Sequence, residues 1–289
     1  MTSAWRQRPV GIVGMGLIGG SLGLDLREQG LRVQALVHRP ATAERALERG
    51  LADAASTDQA VLRDCGLVVL ALPLDRLLDP PAELVAALPA EAVITDVGSV
   101  KAPVLQRWGP LHPRFVGSHP MAGTAEAGVE AGLQGLFQGR PWVGTAVTGR
   151  SDAGALAAVR ELAESVGAQW LSCDAEAHDR AVALISHMPV LVSAALLQAA
   201  AAGGEAAGAA QLVRQLASSG FADTSRIGGG NPELGTLMAR CNREAVLTAL
   251  SHYRRQLDAL EALVQGDQWT DLTASLAHCQ ALRPEFLSS

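Results

Sequence analysis

Val10-Gly11-Ile12-Val13-Gly14-Met15-Gly16-Leu17-Ile18-Gly19-Gly20-Ser21 is the stretch that decides the fold. Four apolar residues run without interruption into a G-x-G-x-x-G turn, and a helical pattern over 21–29 follows. A short, continuously apolar run suits a strand buried on both faces of a parallel sheet. The glycines have separate expected tasks. Gly14 allows the tight turn, Gly16 lets the backbone approach a pyrophosphate, and Gly19 permits close helix–strand contact. The helix N-terminus then offers unpaired N–H groups and positive dipole to phosphates. Glycine turns are common, so the motif alone is weak; its position between a strand and a helix gives it weight. Gly14, Gly16, Leu17, Ile18 and Gly19 are therefore the expected dinucleotide cradle.

Working outward, short apolar runs recur at 33–37, 67–72, Val93–Asp96 and 115–117, and helical patterns at 41–49, 81–88 and 103–108 separate them. That alternation predicts a doubly wound, parallel α/β sheet of Rossmann type. A strand at 142–147, a helix at 152–166 and a strand at 169–172 complete it. After Cys173 the strand signals stop. A helix is expected over 174–198, capped by Asp174 and kinked by Pro189. An Ala/Gly-rich stretch follows, with Gly203-Gly204 marking a break, and then helices over 211–218, 232–263 and 271–282. The expected domains are 1–172, a dinucleotide-binding Rossmann domain, and 173–289, an all-helical domain.

An NAD site usually carries an acidic residue about 20 residues beyond the turn, on the ribose 2′-hydroxyl. Here the second strand ends in His38-Arg39-Pro40, with Thr42 following, and no acid stands there. The Arg39 guanidinium suits a 2′-phosphate instead, which favours NADP. Leu72 and Pro73, at the C-terminal end of the third run, join the expected cofactor contacts.

Composition narrows the classes. At 289 residues the chain has room for about two domains of ~150 residues. Hydrophobic residues at 48% and charged residues at 18% exclude global disorder. The balance of 23 basic to 29 acidic residues argues against nucleic acid, and 3% aromatics argue against a base-stacking surface. No apolar run is expected to reach the ~18 residues of a membrane span. The passage from Met1 into an apolar strand at Pro9 leaves no room for a leader, so a cytoplasmic location without a membrane partner is expected. Cys65, Cys173, Cys241 and Cys279 form no C-x-x-C pair and read as reduced, buried residues. Lys101 is the chain's single lysine.

Polar residues cluster in Thr95-Asp96-Val97-Gly98-Ser99-Val100-Lys101 and in Gly117-Ser118-His119-Pro120-Met121-Ala122-Gly123-Thr124. Both lie where open parallel sheets bind ligands, outside the carboxyl ends of strands. Ser186-His187-Met188-Pro189 and Phe221-Ala222-Asp223-Thr224-Ser225-Arg226 lie in the helical half. Taken in order with the glycine turn, these stretches resemble the prephenate/arogenate dehydrogenases of tyrosine biosynthesis. Arg226-Ile227-Gly228-Gly229-Gly230-Asn231-Pro232-Glu233-Leu234-Gly235 is similar to the cyanobacterial arogenate dehydrogenases in particular.

The resemblance implies oxidative decarboxylation of a cyclohexadienol to a phenol in a cleft between a Rossmann and a helical dimerisation domain. A base near neutral pKa is wanted beside the ring hydroxyl, and histidine suits it. His119 matches the family's catalytic histidine, and Ser99 matches the serine that bonds the same hydroxyl beside the cofactor. Arg226 matches the family's substrate arginine; a guanidinium fork suits a carboxylate. Asp223 would orient Arg226 or another site group, with a surface ion pair as the plainer alternative. His187 and Thr124 are the remaining expected substrate contacts. For His187, a histidine simply packed beside a proline kink competes with that role. His178-Asp179 is a recurring dipeptide of the family, read here as helix packing or capping. Lys101 is read as structural or as an anchor under the cofactor, and Asp96 as an inward brace of its loop. Ala125 stands where several prephenate-using relatives have an acid, and Gly235 where some have an aromatic residue.

Arogenate with NADP is the expected reaction and prephenate the alternative. A β-hydroxyacid dehydrogenase would need a lysine from the helical domain, and none follows position 101. A non-catalytic NADP sensor would not need His119 and Arg226 together. Leu247, Leu250, Leu257, Leu260 and Leu263 recur at helical spacing, as an intrachain core or as the interface of the homodimer that the resemblance implies.

Overall fold

Successive side chains of a strand point to opposite faces, and here that period of two builds a core on each side of one sheet. The computed structural model describes residues 4–124, 126–145 and 152–287. Its strands are β1 (Val10–Val13), β2 (Val33–Leu36), β3 (Ala54–Ser56), β4 (Leu67–Leu70), β5 (Val93–Asp96), β6 (Phe115–Pro120), β7 (Pro141–Thr145) and β8 (Gln169–Cys173). Their order is β3-β2-β1-β4-β5-β6-β7-β8. Along β4, Leu67 and Val69 pack into one core while Val68 and Leu70 pack into the other. Each such side chain contributes roughly 1.5–3 kcal/mol by leaving water. Strand order reverses between β1 and β4, both parallel to each other, which opens a crevice at their carboxyl ends.

The helices of the sheet half are α1 (Leu17–Glu28), α2 (Pro40–Glu48), α3 (Leu74–Leu78), α4 (Ala82–Ala87), α5 (Ala102–Trp108) and α6 (Ala153–Ser165). α1 begins at Leu17, before the expected position 21, because Gly16 serves as its N-cap and the helix starts straight out of the glycine turn. Asp152 caps α6, its carboxylate accepting from Ala155 N–H at 2.6 Å, where the sequence pattern starts the helix. One expectation fails: β7 runs antiparallel to β6. Trp142 on β7 is fully buried and donates through Nε1 to Ser118 Oγ at 3.0 Å. The end of the expected 142–147 strand lies outside the described residues.

The second half contains α7 (Ala175–Val182), a π-helical segment (Ala183–His187), α8 (Met188–Ala206), α9 (Ala210–Leu216), α10 (Ser219–Ser225), a 3₁₀ turn (Arg226–Gly229), α11 (Pro232–Cys241), α12 (Arg243–Gln265) and α13 (Trp269–Leu287). Asp174 caps α7 by accepting from Ala177 N–H at 2.7 Å. The irregularity expected at Pro189 is the π segment: proline brings no N–H to the preceding turn, and the wider turn absorbs the loss. The helix does not break at Gly203-Gly204. It continues to Ala206, and a Cβ on Gly204 would meet Ala210 Cα at 3.3 Å, so this glycine lets α9 approach closely. The expected single helix over 232–263 is two helices, divided at Asn242.

Three further expectations are corrected. Cys173 and Cys279 are exposed, so only Cys65 fits the buried reading fully, and burial pushes its thiol up to about 12. In the leucine series, Leu247 and Leu257 are about half exposed while Leu250 packs against the small core of Ala183, Val246 and Ala249, so the series is an intrachain core only in part. The stretch 175–206 is long and apolar enough to cross a bilayer by length and composition, with mean hydropathy 1.8. Its Ser193 and His187 are nevertheless buried polar groups bonded to other protein segments: Ser193 Oγ donates to Thr224 O, and Asn242 donates to the His187 ring.

Candidate active site

The glycine turn meets each steric demand of a phosphate cradle. Gly14 has φ of 97°, and a Cβ there would lie 2.3 Å from Ala71 O. At Gly19 a Cβ would lie 2.0 Å from Gly14 O, which closes the helix onto the strand. At Gly16 a Cβ would meet nothing within 4 Å. That open space lies at the N-terminus of α1, where no side chain caps the free N–H groups of Leu17 and Ile18. The residues present fit a bound dinucleotide pyrophosphate. His38 and Arg39 are exposed at the carboxyl end of β2, with Pro40 and Thr42 in the first turn of α2. Leu72 and Pro73 follow the end of β4 after one intervening residue, and Pro73 is the N-cap of α3.

β6 pairs with β5 only through Phe115 and Val116, so 117–120 project past the end of β5. His119 sits on that projection, flanked on its other edge by Val143 of β7. Beneath it lies a polar layer with no exposure: Thr95, Asp96, Lys101 and Ser118. Asp96 accepts from Gly98 N–H at 2.8 Å and from Ser118 N–H at 3.1 Å, and it pairs with the Lys101 ammonium. Lys101 also donates to Ser118 O at 2.7 Å. Burial pushes the Asp96 carboxyl up and the Lys101 ammonium down, and their mutual attraction opposes both shifts. The single lysine is thus a structural tie beneath the site, and Asp96 is the inward brace that its position predicts.

The helical half meets this layer through two residues whose contacts sequence reasoning missed. His178 Nε2 lies 2.9 Å from His119 Nδ1, and His178 Nδ1 lies 2.8 Å from Asp179 Oδ1. The Asp179 carboxylate also accepts from Lys101 N–H at 2.7 Å and Ala102 N–H at 2.8 Å, capping α5 from across the sequence. Asn242 Nδ2 donates to Asp179 O at 2.7 Å and to His187 Nδ1 at 3.2 Å. His119 is buried, and burial is the main reason its pKa lies well below 6.5; His178, Lys101 and His187 add to the shift. His187 is pushed down to about 4, mainly by burial, so both rings are neutral at physiological pH.

Four buried polar atoms lack a hydrogen-bond partner among the described residues: Asp25 Oδ2, Ser99 Oγ, Arg114 Nε and His187 Nε2; Ser99 follows β5 and His187 ends the π segment. Because Asn242 donates to His187 Nδ1, the neutral ring carries its proton on Nε2 and offers a donor. Packing alone does not explain that arrangement, since an unsatisfied buried donor costs about 1–3 kcal/mol.

Arg226 is exposed at the start of the 3₁₀ turn and has no hydrogen bond or ion pair among the described residues. The turn is seated on α8, where Gly228 N–H donates to Ser193 Oγ at 2.8 Å. Asp223 is exposed on α10, and the expected surface pair with Arg226 is not formed. Thr124 is exposed beyond β6, with its hydroxyl accepting from Glu126 N–H at 3.2 Å. Ala125 lies outside the described residues. Gly235 on α11 faces Val190.

Residues 22–172 match the nucleotide-binding domain of prephenate dehydrogenase, and residues 174–278 match its dimerization domain. The chain belongs to the prephenate dehydrogenase family. It is 41% identical to the Synechocystis arogenate dehydrogenase structure, with a TM-score of 0.82 over 96% of this chain and 99% of that one. The structure of Aquifex aeolicus prephenate dehydrogenase with hydroxyphenyl propionate and NAD+ matches at 27% identity and a TM-score of 0.84, over 96% and 98% of the two chains. Cyclohexadienyl dehydrogenase of Zymomonas mobilis is 30% identical over 95% of this chain and 94% of its own length. A family member is an oxidoreductase with a nicotinamide cofactor, and the sheet half described above is its nucleotide-binding domain.

Proposed function

We propose that this protein is an NADP-dependent arogenate dehydrogenase that forms tyrosine by oxidative decarboxylation, as a homodimer in the cytoplasm. Residues 1–172 serve the dinucleotide, and 173–289 serve the substrate and the dimer contact. The observation that carries the reading is the buried His119 at the carboxyl end of a nucleotide-binding sheet, held well below 6.5 by burial, together with the unpartnered Ser99 Oγ that follows β5 and the unpartnered His187 Nε2. The cyanobacterial likeness favours arogenate over prephenate. Leu247, Leu257, Val264, Trp269 and Leu276 expose apolar surface along α12 and α13, which supports burial against a second copy.

The dinucleotide, held by Gly14, Gly16, Leu17, Ile18 and Gly19 and flanked by Leu72 and Pro73, supplies the hydride acceptor. His119 takes the proton of the ring hydroxyl as hydride leaves the carbon that bears it, and Ser99 bonds the same oxygen. The ring carboxylate then departs as CO2, and its bonding electrons complete the aromatic ring. Arg226 binds that carboxylate beforehand; Asp223 and Thr124 complete the substrate pocket, and His187 Nε2 donates to the substrate. The deciding experiment assays arogenate and prephenate side by side, each with NADP and NAD, by reduced-nicotinamide absorbance. Turnover confined to prephenate would overturn the substrate assignment, and no turnover with either would overturn the reading altogether.

Two variants separate the binding roles. Arg226→Gln should raise the substrate KM about tenfold or more while kcat changes far less, the mark of a contact made equally in ground and transition states. An unchanged KM would remove Arg226 from the pocket. Arg39→Ala, with His38 and Thr42 left intact, should weaken NADP by about tenfold and leave NAD nearly unaffected, because a charge-assisted bond to the 2′-phosphate is worth roughly 1.5–3 kcal/mol. Equal losses for the two cofactors would refute the assignment.

A further inference from the structure

The contact between His119 and His178 joins residues 59 positions apart and crosses from β6 to α7. Its proton positions follow from elementary valence. A carboxylate only accepts, so the 2.8 Å bond between Asp179 Oδ1 and His178 Nδ1 places a proton on that nitrogen. In the singly protonated His178 ring, Nε2 therefore holds a lone pair. The 2.9 Å contact with His119 Nδ1 then requires His119 to donate. With its one proton committed to Nδ1, neutral His119 is left with an unprotonated Nε2. Among the described residues, no protein group bonds that nitrogen.

We propose that His178 and Asp179 are positioning residues that hold His119 in the tautomer whose Nε2 is free to accept the substrate's proton. The proposal rests on the dehydrogenase reading above for its kinetic consequence but not for its structural content. Neither residue touches the reacting atoms; both act through His119. The rings meet edge to face, with centroids 5.1 Å apart and planes at 75°, so one bond sets both the tautomer and the tilt of the base. Asp179 is itself fixed by Lys101 N–H and Ala102 N–H, and Asn242 holds its backbone carbonyl. The base on the sheet half is thus set by a helix of the other half only while α7 is seated on the loop that leads into α5.

The arrangement also handles the charge formed in the reaction. When Nε2 accepts a proton, the new cation faces His178, Lys101 and His187, whose charged forms disfavour it, while neutral His178 accepts its Nδ1–H. The Asp96 carboxylate is committed to Lys101, so the Asp179 carboxylate, one ring away, is the anion available to balance the cation. This is electrostatic support and requires no second proton transfer.

The test compares His178→Leu with His178→Gln, whose amide oxygen replaces the Nε2 acceptor. ¹⁵N chemical shifts of the His119 ring in wild type should show a protonated Nδ1 and a bare Nε2. His178→Gln should keep that pattern, and His178→Leu should lose it. In kinetics, His178→Leu should lower kcat by on the order of 10²-fold or more with KM changed far less, since a wrong tautomer of a catalytic base is that costly. His178→Gln should recover at least about tenfold of the loss. Equal impairment of both variants, an Nε2-protonated His119 in the wild type, or an unchanged tautomer in His178→Leu would each overturn the proposal. If His178→Leu fails to fold, the ring shifts of wild type and His178→Gln still decide it. The NMR measurement needs no substrate, so an enzyme inactive with both dienols would sink the functional reading and leave the tautomer result standing.

Discussion

His119→Asn is expected to lower kcat by roughly 10²–10⁴-fold, the usual contribution of a positioned general base. Dinucleotide affinity should remain close to that of the wild type, because the glycine turn at Gly14–Gly19 follows another strand. The pH profile gives the same prediction a second handle. A base works deprotonated, so kcat/KM falls as pH drops through its pKa. Burial among His178, Lys101 and His187 holds His119 well below 6.5, so the wild-type profile should stay level down through pH 6.5 and fall only in more acid solution. Asparagine does not titrate, and this acid limb should vanish with the activity. Stopped assays across pH, with dinucleotide titrations on the same samples, check both points; a retained kcat would remove His119 as the base.

The second large effect is on stability. Lys101→Met leaves the fully buried Asp96 carboxylate without its counter-ion, and breaking a buried pair this way costs about 3–5 kcal/mol. Asp96 retains Gly98 and Ser118 N–H as partners, but it can also escape the penalty by taking up a proton. Its carboxyl is already pushed up by burial, and losing the ammonium pushes it further. A folded-state pKa raised above the unfolded value means that the unfolded chain releases its proton first, so the deficit grows as pH rises. Urea midpoints at acid and at neutral pH should therefore separate, with the larger gap from wild type at neutral pH. A deficit independent of pH would indicate lost packing alone. Adding Asp96→Asn should recover part of the loss, since a neutral amide does not need the ammonium.

The sheet half was legible because its signals are local. Gly19 is required by a clash with Gly14 O inside the motif, the positive φ of Gly14 is a demand of the turn itself, and the apolar runs need no partner to declare burial on both faces. The direction of β7 was not legible: a run of the type Trp142-Val143 reads the same in either sense, and only pairing with Gly117–Pro120 decides it. Asn242 hid inside a continuous helical pattern because its break is made by long-range bonds to Asp179 and His187. Gly203-Gly204 misled in the opposite sense, since glycine marks close packing as readily as it marks a helix end. The site was half legible. His119, Ser99 and His187 stand in motifs, whereas the His178 contact depends on how α7 meets the sheet, which no spacing encodes.

One consequence of the buried tie between Lys101 and Asp96 concerns the protein's surface. With the chain's single lysine shielded from solvent, the folded molecule presents no ε-amine to its surroundings, although 22 arginines keep it rich in positive charge. Acylating reagents, aldehyde cross-linkers and lysine-directed modifying enzymes all find that side chain closed to them in the native state. Labelling at position 101 accordingly reports the opening of the sheet's carboxyl edge, and it offers a chemical clock for the same region that holds His119.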